Sequence, residues 1–336
     1  MNFQTIGDLA QSFALRRQGV ELRQQLDRLG QELGTGRVSD PGQHLSGHLL
    51  PLADIEHELV VLSGHQTAAR EATLDTAVMQ AALERVQSDT TDLAAHALSL
   101  KATGNVAQLN ILVIESEQVL ATLVGALNTD AAGRSLFAGA QTDRAPLAPA
   151  DMLLSELRIA LDGVKDRTDL LTRVDAFFEG AAGGFRANIY RGATSEVAPY
   201  QLGSGESVAL NIRADDPALR EALKHVALIA LSADETLPLA DAERIDLASN
   251  AGAGLQEHQN ALTALRANLG LAEGRIAQAS SRIAAEMTSL EIARSEMVSA
   301  DAFETAVELE QVQLQLETLY TVTARASRLS LVNFLS

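Results

Sequence analysis

The last stretch of the chain, Leu271 to Ser336, restricts the fold more than any other. From Glu273 to Arg328 it has no proline, and its one glycine is Gly274. Ala, Leu, Glu, Gln and Arg dominate, and these are strong helix formers. Ile276, Ile283, Leu290 and Met297 recur every seven residues, and Leu309, Val312, Leu316 and Leu319 continue a similar stripe after Asp301. One helix of roughly 55 residues would run about 80 Å at 1.5 Å per residue. A rod of that length with a single narrow apolar seam cannot bury the seam inside a compact globule. It needs a second long helix, so the pattern reads as coiled coil.

The other end of the chain supplies that helix. Leu15, Leu22 and Leu29 are seven apart, with Leu26 and Leu33 beside them on the same face. Met1 to Leu33 is therefore expected as an amphipathic helix with a Leu-rich seam. Pairing of the two termini would close the chain head to tail and leave the middle as an insertion. The expected fold class is mainly α: a long antiparallel helical coiled coil or bundle formed by the N- and C-terminal segments, with a small inserted α+β domain. The expected divisions are 1–134 for the N-terminal helical half, 135–235 for the inserted domain and 236–336 for the C-terminal half. Leu22, Leu26, Leu29 and Leu33 are expected to pack against Leu309, Val312, Leu316 and Leu319. Leu329, Leu331 and Phe334 are expected as a final assembly contact.

Between the termini, turn chemistry marks the elements. Gly34 to Gly42, with Pro41, ends the first helix. Asp54 is placed to cap a helix from Ile55 to Leu100, with Gly64 as its weak point. Asn105 is a natural cap for Val106 to Leu127, a helix so apolar that both sides are expected to be covered. Met152 to Leu161 and Thr168 to Phe178 read as short helices. Phe185 to Arg191 has strand character. Tyr200 to Leu202 and Val208 to Ile212, flanking Gly203 and Gly205, form the best hairpin. Asp216-Pro217 opens a further helix, and Gly252 and Gly254 are expected to break the next one.

Composition narrows the function. The formal net charge is -18 and aromatic residues make up 3% of the chain. Nucleic-acid binding rests on Lys and Arg against phosphate, and an anionic membrane surface makes the same demand. Neither is an expected partner. The chain has no cysteine, which excludes disulfides, thiolate metal ligands and thiol nucleophiles. The N-terminal residues lack the basic patch and apolar run of a signal peptide, and no 18-residue uninterrupted apolar run predicts a transmembrane helix.

Candidate chemistry is sparse. His44 and His48 have the i, i+4 spacing of metal ligands, with Asp40 and Glu56 near in sequence, but Gly47 and Pro51 interrupt that helix. Gly180 to Gly184 and Gly203 to Gly205 lack the Lys-Ser/Thr of a phosphate loop and read as turns. Asp215 and Asp216 read as a turn and a helix cap, and His225 has no evident nucleophile beside it. No catalytic, cofactor-binding or metal residue is expected, and no cofactor.

Four stretches resemble the flagellin-like axial proteins of bacteria, with the hook-associated branch nearest. Tyr320 to Leu335 is similar to the family's C-terminal signature, a helix ending in Ser-Leu-x-Asn-aromatic-Leu (here Ser330-Leu331-Val332-Asn333-Phe334-Leu335). Leu127-Asn128-Thr129 with Gly133 to Gly139, followed by Thr142-Asp143 and Pro146, resembles a Leu-Asn…Leu-Phe-x-Gly stretch, with Ser135 in place of the usual aromatic. Ile6 to Leu9 with Leu26 to Arg37 resembles the N-terminal helix. Ala198-Pro199-Tyr200 with Arg213 to Ala218 looks like the inserted domain of some members. The resemblance implies a non-enzymatic structural protein at the hook–filament junction. It would be exported unfolded without a cleaved signal and be extracellular in the flagellum. Implied partners are copies of itself in a helical tube, a neighbouring hook-associated protein, flagellin and an export chaperone. Flagellin is the alternative within the family, and a coiled-coil scaffold or adaptor the alternative outside it.

Overall fold

A computed structural model describes residues 6–335, and its described side chains are those of residue 10, residues 12–102 and residues 104–325. The protein is mainly α. Helix α1 (Ile6–Thr35) is followed by the short α2 (Pro41–His44), α3 (Leu50–Thr103) and α4 (Val106–Leu127). A two-residue hairpin, β1 (Asp130–Ala131) and β2 (Arg134–Ser135), leads to α5 (Ala150–Ala160) and α6 (Arg167–Glu179). After a π-helical turn at Phe185–Ile189 come the hairpin β3 (Tyr200–Gly203) and β4 (Glu206–Val208), then α7 (Pro217–Leu231), α8 (Asp241–Val298) and α9 (Ala302–Leu335). Contacts divide the chain into two compact units, one of residues 1–63 with 285–336 and the other of residues 64–284. The second unit contains the whole of 135–235 and of α4, together with stretches of α3 and α8.

In the larger unit, α3 and α8 run antiparallel along a seam of small and branched residues. Leu255, Leu262, Leu269, Ile276 and Ile283 are all buried at heptad spacing on α8, and Ala69, Ala72, Met79, Leu83, Val86, Leu93 and Ala97 are buried on α3. Polar side chains pin the register: Gln80 Nε2 donates to the Arg266 carbonyl at 2.9 Å, and Arg266 Nη1 donates to Gln87 Oε1 at 2.8 Å. Gly252 and Gly254 lie within α8 and do not break it. A Cβ on Gly252 would stand 2.6 Å from the Ala97 Cβ. Both glycines serve close approach, which outweighs the roughly 1 kcal/mol helix penalty of each.

The rest of this unit wraps α7, whose residues from Ala218 to Leu231 are almost all buried. Asp216 caps it, accepting from Ala218 N at 3.0 Å, with Pro217 at the first helical position. Phe178 stacks on Phe185 with ring centroids 5.5 Å apart and meets Phe177 edge-on at 5.2 Å. Phe185 is thus in a π-helical turn and not in a strand, because the turn directs it onto that aromatic core. Asn105 caps α4 as expected. Leu109, Leu112, Leu120, Leu123 and Leu127 are buried on one face of α4, whereas Ile111 and Ile114 are exposed on another. Coverage on both sides is therefore corrected to one. Helix α4 does have the length and hydropathy to cross a membrane, and its apolar face is accounted for by packing against α7. Tyr200 pairs with Val208 and Gln201 with Ser207 in the β3–β4 hairpin. Leu202 and Val208 pack on Ala69, Ala72, Ile276 and Ala279.

Two further expectations are corrected. Helix α3 starts at Leu50, so Asp54 lies inside it and is not its cap. The C-terminal rod is two helices, broken between Val298 and Ala302. Asp301 caps the second, accepting from Phe303 N at 2.9 Å and Glu304 N at 3.0 Å.

Candidate functional site

In the smaller unit, α1 and α9 pair antiparallel. Leu22, Leu29, Val312 and Leu319 form the buried cluster, and Leu15, Leu26, Leu309 and Leu316 pack half-buried against it. Gly19 faces Leu319 across the pair, where a Cβ would stand in ordinary van der Waals contact, 3.4 Å from Leu319 Cδ2. Arg23 clasps the pair, donating to the Tyr320 hydroxyl at 2.6 Å from Nη2 and 3.0 Å from Nε, with its guanidinium 5.7 Å from the ring centre.

Leu33 departs from the expected seam and is 40% exposed. Glu32 takes the inward position at that turn, where its Oε1 accepts from Ser39 N at 2.8 Å. That hydrogen bond fixes the chain as it leaves α1. Arg37 then bridges to Ser299, with Val38 N donating to the Val298 carbonyl at 2.9 Å and Ala300 N to the Gly36 carbonyl at 3.0 Å. Gly36 has φ +67°, a conformation glycine adopts without strain. The two linkers that end α1 and begin α9 are therefore tied together through the backbone. The side chains of Leu329, Leu331 and Phe334 lie outside the described residues.

The paired helices also expose apolar side chains. Phe13 and Val20 on α1, and Phe303, Val307, Leu314, Tyr320 and Val322 on α9, face solvent in the isolated chain. Such a surface on both members of a pair is what association with further helices would cover.

His44 and His48 do not share a helix, since α2 ends at His44. Gly205, at φ +77°, makes the β3–β4 turn, and Asp216 is a helix cap. In the larger unit, the Tyr200 hydroxyl donates to the Asp75 carboxylate, and Arg282 meets Glu206. Burial first, then the Asp75 contact, push the Tyr200 phenol up to about 12. Burial and the nearby Asp215 charge push Tyr190 up to about 12 as well.

Sequence patterning missed one polar cluster altogether. Lys224 is buried among Asp175, Glu179 and Glu221, at 3.2, 2.8 and 2.8 Å respectively. Burial raises the Glu221 carboxyl, but the neighbouring His225 and the Lys224 ammonium outweigh it and bring it down to about 2. Burial likewise works against the charged Lys224, and the surrounding carboxylates reverse the effect, leaving its pKa raised. The Glu221/His225 spacing of i, i+4 was visible in the sequence. Their approach to His258, on another helix, was not.

Residues 253–335 match the family described as the bacterial flagellin C-terminal helical region. The matched segment holds the distal part of α8 and all of α9. Among solved structures, a provisionally named flagellar hook-associated protein from Vibrio parahaemolyticus is similar over 75% of this chain and 98% of its own, at 14% identity and a TM-score of 0.44. No curated protein sequence matches the chain. The C-terminal region of the chain is therefore flagellin-like.

Proposed function

We propose that the chain is an axial subunit at the hook–filament junction, exported unfolded and assembled through its terminal helices. The observation that carries this reading is the α1–α9 pair, whose C-terminal member lies in the flagellin match and which leaves apolar residues on both helices uncovered. Copies of the chain stacked in a helical tube would bury those residues, so ordering of the termini and assembly are coupled. The absence of cysteine suits a chain that must pass through a narrow channel without cross-links. The implied partners are further copies, an adjacent hook-associated protein and flagellin, with an export chaperone shielding the seam beforehand. No catalytic role is assigned.

Electron micrographs of flagella from a strain lacking the protein test this role. Hooks without filaments are expected, and filaments of normal number and length would refute it. The flagellin match fits a filament subunit too. Long homopolymers grown from the purified protein would favour that second reading, and short or absent polymers the junction role.

A further inference from the structure

Glu221 and His225 lie one turn apart on α7, and His258 faces them from α8. One ligand atom from each lies within 4.8 Å of the others. His225 Nε2 is 3.5 Å from Glu221 Oε2, and His258 Nε2 is 3.6 Å from the same oxygen. These separations are long for hydrogen bonds. They match the spacing of ligand atoms around a tetrahedral zinc ion, roughly 3.3–3.5 Å when each ligand is about 2.0–2.2 Å from the metal. We propose that Glu221, His225 and His258 form a binding site for a divalent transition metal of the zinc type, with an open fourth position for water.

Three features of the site support it. First, His258 Nδ1 is 2.8 Å from the Gly254 carbonyl. A carbonyl can only accept, so Nδ1 carries the proton and Nε2 presents its lone pair toward Glu221, the arrangement that orients metal-bound histidines. Second, His225 Nδ1 is buried with no hydrogen-bond partner, so its polar contact is made through Nε2. Third, Lys224 leaves two of the negative charges of Asp175, Glu179 and Glu221 uncompensated. A divalent cation balances those two charges. Lys224 already bonds Asp175 and Glu179, so it keeps two carboxylates when Glu221 turns to a metal.

The backbone has been shaped to bring these groups together. A Cβ on Gly254 would lie 2.2 Å from His225 Cε1, so only glycine lets α8 pass this close, and His258 follows one turn later. The side chains of Glu221, His225 and His258 are 18%, 15% and 31% exposed, which leaves an opening on the His258 side for the metal and its water. Two imidazoles with one carboxylate select zinc, cobalt or nickel over calcium and magnesium, which take all-oxygen sites.

Cobalt titration of the full-length protein at neutral pH tests the site. One equivalent should give the intense visible absorption of a four-coordinate Co2+ centre, zinc should bleach it, and excess Ca2+ should not. His258→Ala should weaken cobalt binding at least about tenfold. That variant removes a partly exposed side chain, and its unchanged melting curve without metal would show that the fold is intact. Zinc should raise the melting temperature of the wild type and not of His258→Ala. His44→Ala, in an exposed histidine of the smaller unit, should bind as the wild type does. An absent cobalt signal, or one equally strong in His258→Ala and His225→Ala, would overturn the proposal.

Discussion

Leu29→Ala tests the helix pair that the functional reading depends on. Leu29 is 2% exposed and is one of four buried side chains in the α1–α9 cluster. Truncating a buried leucine costs about 2–5 kcal/mol, depending on how far the surroundings collapse into the space. A two-helix interface relaxes and admits water more readily than a closed core, so the lower part of that range applies, about 2–3 kcal/mol. Native-state hydrogen exchange reads this unit by unit. Amides in the middle of both α1 and α9 should exchange about 30- to 150-fold faster, at tenfold per 1.4 kcal/mol, while those of α7 stay unchanged. Leu33→Ala is the matched control. Leu33 carries the same side chain one turn along, but it is 40% exposed and outside the buried cluster, and its removal should change exchange by less than about threefold. Equal effects from the two variants would refute the seam as described. So would faster exchange in α1 with no change in α9.

Three predictions concern the larger unit. Phe178→Ala removes the ring shared by two aromatic contacts and should cost about 3–5 kcal/mol, read as a lowered denaturation midpoint with an unchanged slope. Gly252→Ala places a methyl group 2.6 Å from Ala97 Cβ and should destabilise by about 1–3 kcal/mol, although alanine is the better helix former. In an alkaline titration followed by phenolate absorbance, Tyr190 and Tyr200 should ionise near pH 12. Their folded pKa is raised, so the stability they contribute is present below about pH 10, the ordinary phenol value, and is lost as pH rises from there toward about 12. Full ionisation of all the phenols by pH 11, with the fold intact, would contradict this.

What the sequence made legible and what it hid follow from the range of the interactions. Heptad leucines at 22 and 29, and their counterparts Val312 and Leu319, can be read from spacing alone, because a long helix has few other ways to bury such a stripe. The caps at Asn105 and Asp216 and the Gly203–Gly205 turn are local chemistry and were equally visible. Leu33 was misjudged because a part-buried hydrogen bond from Ser39 N to the Glu32 carboxylate outranked hydrophobic pattern at the end of the helix. Gly252 and Gly254 resembled breakers because their reason lies across space, in Ala97 and the His225 ring. The break before α9 carried only one cue, Asp301, and is enforced by the Arg37–Ser299 bridge, which spacing along the chain cannot show. The Glu221–His225–His258 cluster joins residues from two helices and was hidden for the same reason.

The most direct test of assembly through the terminal helices is a truncation lacking residues 329–336, expressed in place of the full chain. The larger unit should melt as in the full-length protein, and the flagella should show hooks with no filament attached. Filaments attached in normal number by the truncated protein would contradict the account.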